Sequence, residues 1–318
     1  MRAPLIALGV VISLVVSAVA SSQEPGAPNM AFNIHPVAGN VYVLERGDGF
    51  GNVAVLVGSD GLVLVDAQGE PQHPLLLAAL KRLSDKPVRY VIDTHCHGDH
   101  SWGNAAFQRD GATVIAHSNV RKRLATESYC GPRPGTGLPT VTFDSQLTLY
   151  VDDEEIRITK LPAGHTDGDA MVYFKKANVV ETGDAFVSVR LPGADPSKDG
   201  TMLGIIQELQ RIIQAVPEDA KIIPGHGTQA SIGDVRRSLQ VLEGMRDAIQ
   251  RPLLAGKSLD EIRAMNVLSP WKDTLGEPCV PHVPCDHQDA EAYLRSFFTA
   301  LTAARAPANG DSNQKSHP

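Results

Sequence analysis

Four times in this 318-residue chain a short stretch that reads as a strand ends in a glycine-marked turn that carries a histidine or an aspartate. Val88 to Ile92 feeds into His95-Cys96-His97-Gly98-Asp99-His100, and the run at 155–160 precedes Gly164-His165. The run at 178–181 precedes Gly183-Asp184, and Lys221-Ile222-Ile223 precedes Pro224-Gly225-His226-Gly227. A single histidine after a strand is ordinary, but four ligand-type strand ends in series are not. The first turn is the densest, with three imidazoles and a carboxylate within six residues. Alternation along extended backbone aims His95 and His97 to one side. Gly98 permits the sharp turn that lets Asp99 and His100 serve a second position nearby. Taken alone, this first cluster is also compatible with an adventitious or purely structural zinc site.

The rest of the chain reads as α/β. Runs at 41–44, 53–57 and 62–65, separated by Gly-Asp-Gly and Gly-Ser-Asp-Gly, predict an antiparallel meander that begins near Asn33. A helix opens after Pro71 and runs towards Leu83, with Leu76, Leu80 and Leu83 on one face. Further strands are expected at 88–92, 112–116, 140–143, 147–151, 155–160, 170–174 and 178–181. Helices are expected from Gly103, at 118–126 and 201–216, then at 233–251, 258–265 and 287–304. Two successive blocks of strands followed by helices predict an α/β sandwich with helices outside. The Gly- and Pro-rich stretch 128–140 is too long for a simple connector and is a candidate site wall.

Composition narrows the function. With 29 Lys+Arg against 36 Asp+Glu the formal charge is −7, which gives no footprint for a nucleic-acid partner. Arg2, the apolar run Leu5 to Val16 and Ala18-Val19-Ala20 read as a secretory signal peptide. The apolar run falls short of the ~20 residues of a membrane span, so no stable membrane insertion is expected once residues 1–20 are removed. That cleavage leaves 298 residues with 28 basic and 36 acidic groups, a formal charge of −8. The organisation expected is a signal peptide at 1–20, a flexible leader at 21–32, one domain at 33–305 and a disordered tail at 306–318. Export implies an oxidising compartment, where disulfides persist. The four cysteines, Cys96, Cys130, Cys279 and Cys285, allow three complete pairings. Closeness in sequence favours a local bridge from Cys279 to Cys285.

On His95, His97, Asp99, His100, His165, Asp184 and His226, together with the early strand-end Asp66, the chain resembles the metallo-β-lactamase superfamily. The resemblance spans nearly the whole chain after the signal segment and includes five motifs in order. It implies a four-layer αββα sandwich with a dimetal site at one edge of the sheets. It makes His95, His97 and His165 ligands of a first metal, Asp99, His100 and His226 ligands of a second, and Asp184 the bridging carboxylate. Asp66 would support the ligands. Thr94, Thr166 and Thr182 are candidate hydrogen-bond partners of ligands, or simply packed.

An imidazole and carboxylate set suits two Zn²⁺ ions, and His97 stands where diiron relatives carry a carboxylate, so zinc is preferred over iron. The implied activity is that of an exported, periplasmic hydrolase in which a bridging hydroxide attacks a small carbonyl substrate of the β-lactam, lactone or thioester class, with Asp99 and His165 catalytic. The bridging aspartate departs from true metallo-β-lactamases and points towards thioesterases and lactonases. Two alternatives remain: an iron-dependent, persulfide-dioxygenase-like oxidoreductase and a non-catalytic metal-binding accessory protein. Trp102, Tyr129, Phe186 and Arg190 are candidate specificity groups in or near the loops at 128–140 and 188–200. The oligomeric state is not readable.

Overall fold

The computed structural model describes residues 31–47, 49–126, 130, 134–275 and 289–305. The signal segment, most of the leader, the tail, Tyr129, Cys279 and Cys285 lie outside the described residues. Phe32, at the end of the stretch expected as leader, is already buried against the outer face of the first sheet.

The first sheet contains seven strands in sequential order. These are β1 (Asn33–Ala38), β2 (Val41–Glu45), β3 (Val53–Val57), β4 (Leu62–Val65), β5 (Val88–Ile92), β6 (Thr113–His117) and β7 (Val141–Phe143). The first four form the antiparallel meander, and β4 to β7 pair in parallel. The crossovers are helical, as parallel pairing requires. They contain α1 (His73–Leu80), α2 (Gly98–Ser101), α3 (Asn104–Arg109) and α4 (Ser118–Thr126).

The second sheet has six strands in the order β13-β12-β11-β10-β9-β8. They are β8 (Gln146–Val151), β9 (Glu154–Lys160), β10 (Ala170–Phe174), β11 (Val179–Glu181), β12 (Lys221–Ile223) and β13 (Ala230–Ser231). Outside this sheet lie α5 (Met202–Ala215), α6 (Ile232–Leu254), α7 (Leu259–Ala264), α8 (Lys272–Leu275) and α9 (Ala290–Arg305).

Side-chain alternation explains the four layers. Val53 and Val55 of β3 and Leu62 and Leu64 of β4 face outward, where they pack with Leu76, Leu80 and Phe107 of α1 and α3. Ala54, Leu56, Val63 and Val65 face the other sheet, against Val172, Phe174 and Ile158. On β10, Met171 and Tyr173 face outward instead, onto Ile205, Leu209, Val235 and Phe297 of α5, α6 and α9. Strands with two buried faces read as unbroken apolar runs, which is why β3, β4 and β10 stand out in the sequence.

The helix starts are capped as their sequences dictate. The Thr201 side chain accepts from Gly204 N–H at 2.9 Å, and Ser231 with Asp234 forms a reciprocal capping box. Four elements were not expected, the short helix α8 among them. β1 is interrupted by Pro36, where the register shifts, and β13 is only two residues long. The helical turn α2 lies within the His-rich segment itself, where ligand spacing masks helix propensity.

The two sheets are tied at one edge. Ala170 N–H of the second sheet donates to Thr94 O, just beyond β5, at 2.9 Å. Asn52, just before β3, donates through its side-chain amide to Pro224 O at 2.9 Å and Gly227 O at 2.8 Å, beyond β12. Asn52→Ala strands both carbonyls and is expected to lower unfolding free energy by about 2–4 kcal/mol. Urea titration reads this directly, and a loss below about 0.5 kcal/mol would show that the tie is dispensable.

Candidate metal centre

All seven of the histidines and aspartates singled out from the sequence converge at that tied edge. Three overlapping sets present donor atoms within 4.8 Å of one another: His95, His97 and His165; His95, His100 and Asp184; and Asp99, His100 and His226.

Each imidazole is fixed by the partner of its outer nitrogen. Asp66 holds a left-handed backbone conformation at φ 69°, and its fully buried carboxylate accepts from Thr94 N–H at 2.7 Å and from Thr94 Oγ1 at 2.9 Å. The same carboxylate faces His100 Nδ1 at 2.7 Å. With its proton committed to Asp66, the Thr94 hydroxyl can only accept from His95 Nδ1, at 3.0 Å. His165 Nδ1 donates to Gly193 O at 2.7 Å and His226 Nδ1 to Gly49 O at 2.9 Å. Four rings therefore turn Nε2 inward. His97 is reversed: its Nε2 meets Asp195 Oδ2 at 3.0 Å, so Nδ1 points in.

This arrangement brings lone pairs face to face. His97 Nδ1 and His165 Nε2 lie 2.9 Å apart, yet each ring's proton is committed to its outer partner. His100 Nε2 and His226 Nε2 approach to 3.4 Å. His95 Nε2 and Asp184 Oδ1 are buried with no hydrogen-bond partner among the described residues. Such contacts are repulsive unless a cation lies among them, so the donor set fits metal ions.

Asp184 stands between the two groups. Its Oδ1 is 3.3 Å from His226 Nε2 and 3.5 Å from His100 Nε2, while Oδ2 is 3.6 Å from His165 Nε2. The Asp99 carboxylate, at 29% exposure the most open of the cluster, faces His226 Nε2 at 3.3 Å and His100 Nε2 at 3.5 Å. A Cβ on Gly225 would strike Asp184 Oδ1, and one on Gly51 would strike the His100 ring. These two glycines are what let the backbone close around the cluster.

Charge follows the same geometry. Burial pushes His95 well below the ordinary histidine range, with His100, His97 and His165 adding to it. Burial and then His97 lower His165. Burial opposes charge on Asp184, but His226 and His100 prevail and hold its carboxyl well below the usual range. His100 moves the other way, because Asp99, Asp66 and Asp184 outweigh its burial.

The comparisons with known proteins agree with this site. The metallo-beta-lactamase superfamily model matches residues 46–226. The chain belongs to that superfamily. It is 24% identical over 240 residues to the metallo-beta-lactamase IND-1 of Chryseobacterium indologenes, which covers 73% of this chain and 95% of that protein. It is 29% identical over 150 residues to the hydroxyacylglutathione hydrolase of Pelagibacter ubique, 46% of this chain and 56% of the relative. Among solved structures, a metallo-beta-lactamase from Pontibacter korlensis superposes with TM-score 0.58 at 21% identity, covering 67% of this chain and 99% of that one. A variant of the sec-alkyl sulfatase PisA1 gives TM-score 0.64 at 17% identity, over 90% of this chain and 52% of that one. These likenesses at low identity show the αββα fold.

The supporting residues divide. Thr94 reaches His95, as anticipated, whereas Thr166 bonds Asp169 and Thr182 bonds the carbonyls of Gly183 and Phe186, so neither hydroxyl touches a ligand-type imidazole. Phe186 is core, and Trp102 stacks over Gly98, where it would meet any Cβ. Arg190 is half-buried and lines a cleft of about 500 Å³ with Ser188, Gln229 and Arg237. Asp195 escaped notice in the sequence. Asp195-Pro196-Ser197 reads only as a turn, with Asp195 Oδ1 accepting from Ser197 N–H at 2.9 Å. Asp195→Ala frees the His97 ring, and affinity for a divalent cation, probed with zinc against a chromophoric chelator, is expected to fall about 10–100-fold. Unchanged affinity would show that His97 is oriented by other contacts.

Proposed function

We propose that this chain is an exported dizinc hydrolase that opens or cleaves a small carbonyl substrate of the β-lactam, lactone or thioester class in the periplasm. The observation that carries this reading is the pair of inward lone pairs on His97 Nδ1 and His165 Nε2 at 2.9 Å, with Asp184 placed between that group and His100 and His226. His95, His97 and His165 would hold one ion, Asp99, His100 and His226 the other, and Asp184 both. Nitrogen and carboxylate donors with no thiolate suit zinc over softer-site metals. When bound, zinc supplies Lewis acidity, polarising a carbonyl and bringing the pKa of a water towards ~7.

The chain's own groups define the rest. The Asp99 carboxylate, held below its ordinary range by His100 and His226 against the effect of burial, is ionised at neutral pH and is the cluster's most solvent-open member. It is placed to orient an attacking water and to take its proton. His165, kept neutral by burial, keeps its Nε2 lone pair directed inward rather than protonated. The segment 188–200 flanks the cluster through Gly193 and Asp195, and together with the stretch 128–140 it would select the substrate. The single domain at 33–305 and removal of residues 1–20 belong to the same proposal. Similarity to IND-1 and to a hydroxyacylglutathione hydrolase supports the carbonyl class, and the IND-1 likeness also supports export. No helix among the described residues is long and apolar enough to cross a membrane.

The test is a zinc-loaded protein, its metal content verified by elemental analysis, offered a nitrocefin-type β-lactam, an acyl lactone, a glutathione thioester and a phosphodiester. Turnover of one of the first three is expected. Asp99→Ala and His165→Ala are expected to abolish it and reduce bound zinc while the circular dichroism spectrum is retained. Wild-type-like turnover in either variant sinks the proposed roles, and iron as the bound metal sinks the hydrolase.

A further inference from the structure

Cys96 sits between two of the cluster's imidazoles, but its side chain faces away from them. Cys96 and Cys130 are both fully excluded from solvent in a small apolar pocket with Ala116, Val120 and Leu124. Their backbones are pinned together. The Ser101 hydroxyl reaches Cys96 O at 2.9 Å and Cys130 O at 3.4 Å. The side chains meet as well, since both lie in one buried cluster and the Cys96 thiol is within hydrogen-bonding reach of Cys130.

The described residues that follow, from 134 on, are held in place. Gly135 N–H donates to Leu124 O at 2.9 Å, and the Gln108 side chain donates to Leu138 O at 2.8 Å. Residues 135–138 are thus docked on α3 and α4. A lone buried cysteine is merely a small hydrophobe, whereas two thiols in contact from distant parts of the chain are a cross-link awaiting an oxidant.

We infer that Cys96 and Cys130 form a disulfide that staples the ligand-bearing turn to the wall segment. Both thiols are free in the structure. Oxidation requires a disulfide donor such as oxidised glutathione or a thiol–disulfide oxidoreductase. One thiolate attacks the donor to give a mixed disulfide and expels a donor thiolate. The second cysteine then attacks its partner's sulfur and expels the other half of the donor. Two S–H bonds are lost, one S–S bond forms, and the two electrons and two protons leave with the reduced donor. Because the pair is buried, the bond forms while the chain folds and is shielded from reductant afterwards. Of the three possible pairings, this contact selects the one that leaves Cys279 to Cys285.

Refolding the full chain from urea in a reduced and oxidised glutathione buffer, followed by alkylation without reduction and peptide mapping, tests the assignment independently of compartment and activity. A peptide pair joined through Cys96 and Cys130 is expected, absent from Cys130→Ser. Alkylated Cys96 and Cys130 in the refolded protein, or Cys96 joined to Cys279 or Cys285, overturns it. The oxidised form is expected to melt several degrees above the reduced form, since the bond closes a long loop of the unfolded chain. The effect on the metal site rests on the dizinc reading: chelator extraction of zinc is expected to be several-fold slower from the oxidised form, with no redox difference in Cys130→Ser. A confirmed cross-link with equal extraction rates removes the coupling to the metal site and leaves the bond.

Discussion

The Asp66 carboxylate is the joint on which the site depends. It is fully buried, sits on a backbone conformation that non-glycine residues rarely adopt, and engages three polar groups on two neighbouring segments. Those bonds do more than neutralise a buried charge. By accepting the Thr94 hydroxyl proton, Asp66 forces that hydroxyl to accept from His95; by engaging His100 Nδ1 it directs the opposite nitrogen inward. One carboxylate thereby sets the tautomers of two imidazoles and explains why a strained residue is kept at the end of β4, where strain of about 1–3 kcal/mol is commonly stored for function.

The wider fold converts that joint into a site by bringing two sheets to one edge. The first sheet supplies the His95 to His100 turn and the second supplies His165, Asp184 and His226. Neither half-set can close without the other. The Ala170 to Thr94 bond and the two Asn52 bonds span the gap where the apolar inter-sheet core ends. Core packing fixes the separation of the sheets to within the width of a side chain, and these polar ties fix their rotation. Donors more than 60 residues apart in sequence, such as His97 and His165, can then be held at 2.9 Å.

Much of this was legible in the sequence because the signals are local. Doubly buried strands leave unbroken apolar runs, and β10 and β5 match their expected limits residue for residue. Each ligand-type residue lies in a glycine-marked turn after an expected strand, so all seven could be found without knowing how the chain closes. What was illegible is nonlocal. Asp195 is recognisable only once His97 is near, and Asn52 only once the turn after β12 is near. Thr166 and Thr182 mislead for the converse reason: adjacency in sequence places a hydroxyl close to a ligand, but Asp169 takes up the first and the carbonyls of Gly183 and Phe186 the second. Proline at Pro36 and the brevity of β13 likewise conceal strands that exist through pairing alone.

Electrostatics explains why the cluster suits cations. Among the seven donors only Asp99 and Asp184 bring negative charge, and both are held in the ionised form. Their field favours charge on His100, whereas burial disfavours it on His95 and His165. A proton answers one imidazole at a time; it cannot satisfy inward nitrogens on both sides of Asp184. On the proposed dizinc reading two divalent ions would, and their +4 against two carboxylates would leave an excess positive charge. That excess would fall at the most open member of the set, Asp99, where an anionic or strongly polarised oxygen from solvent or substrate gains most. The surplus of acidic groups over the whole chain does not offset it locally, since screening confines exposed charges to a range of about 8–10 Å.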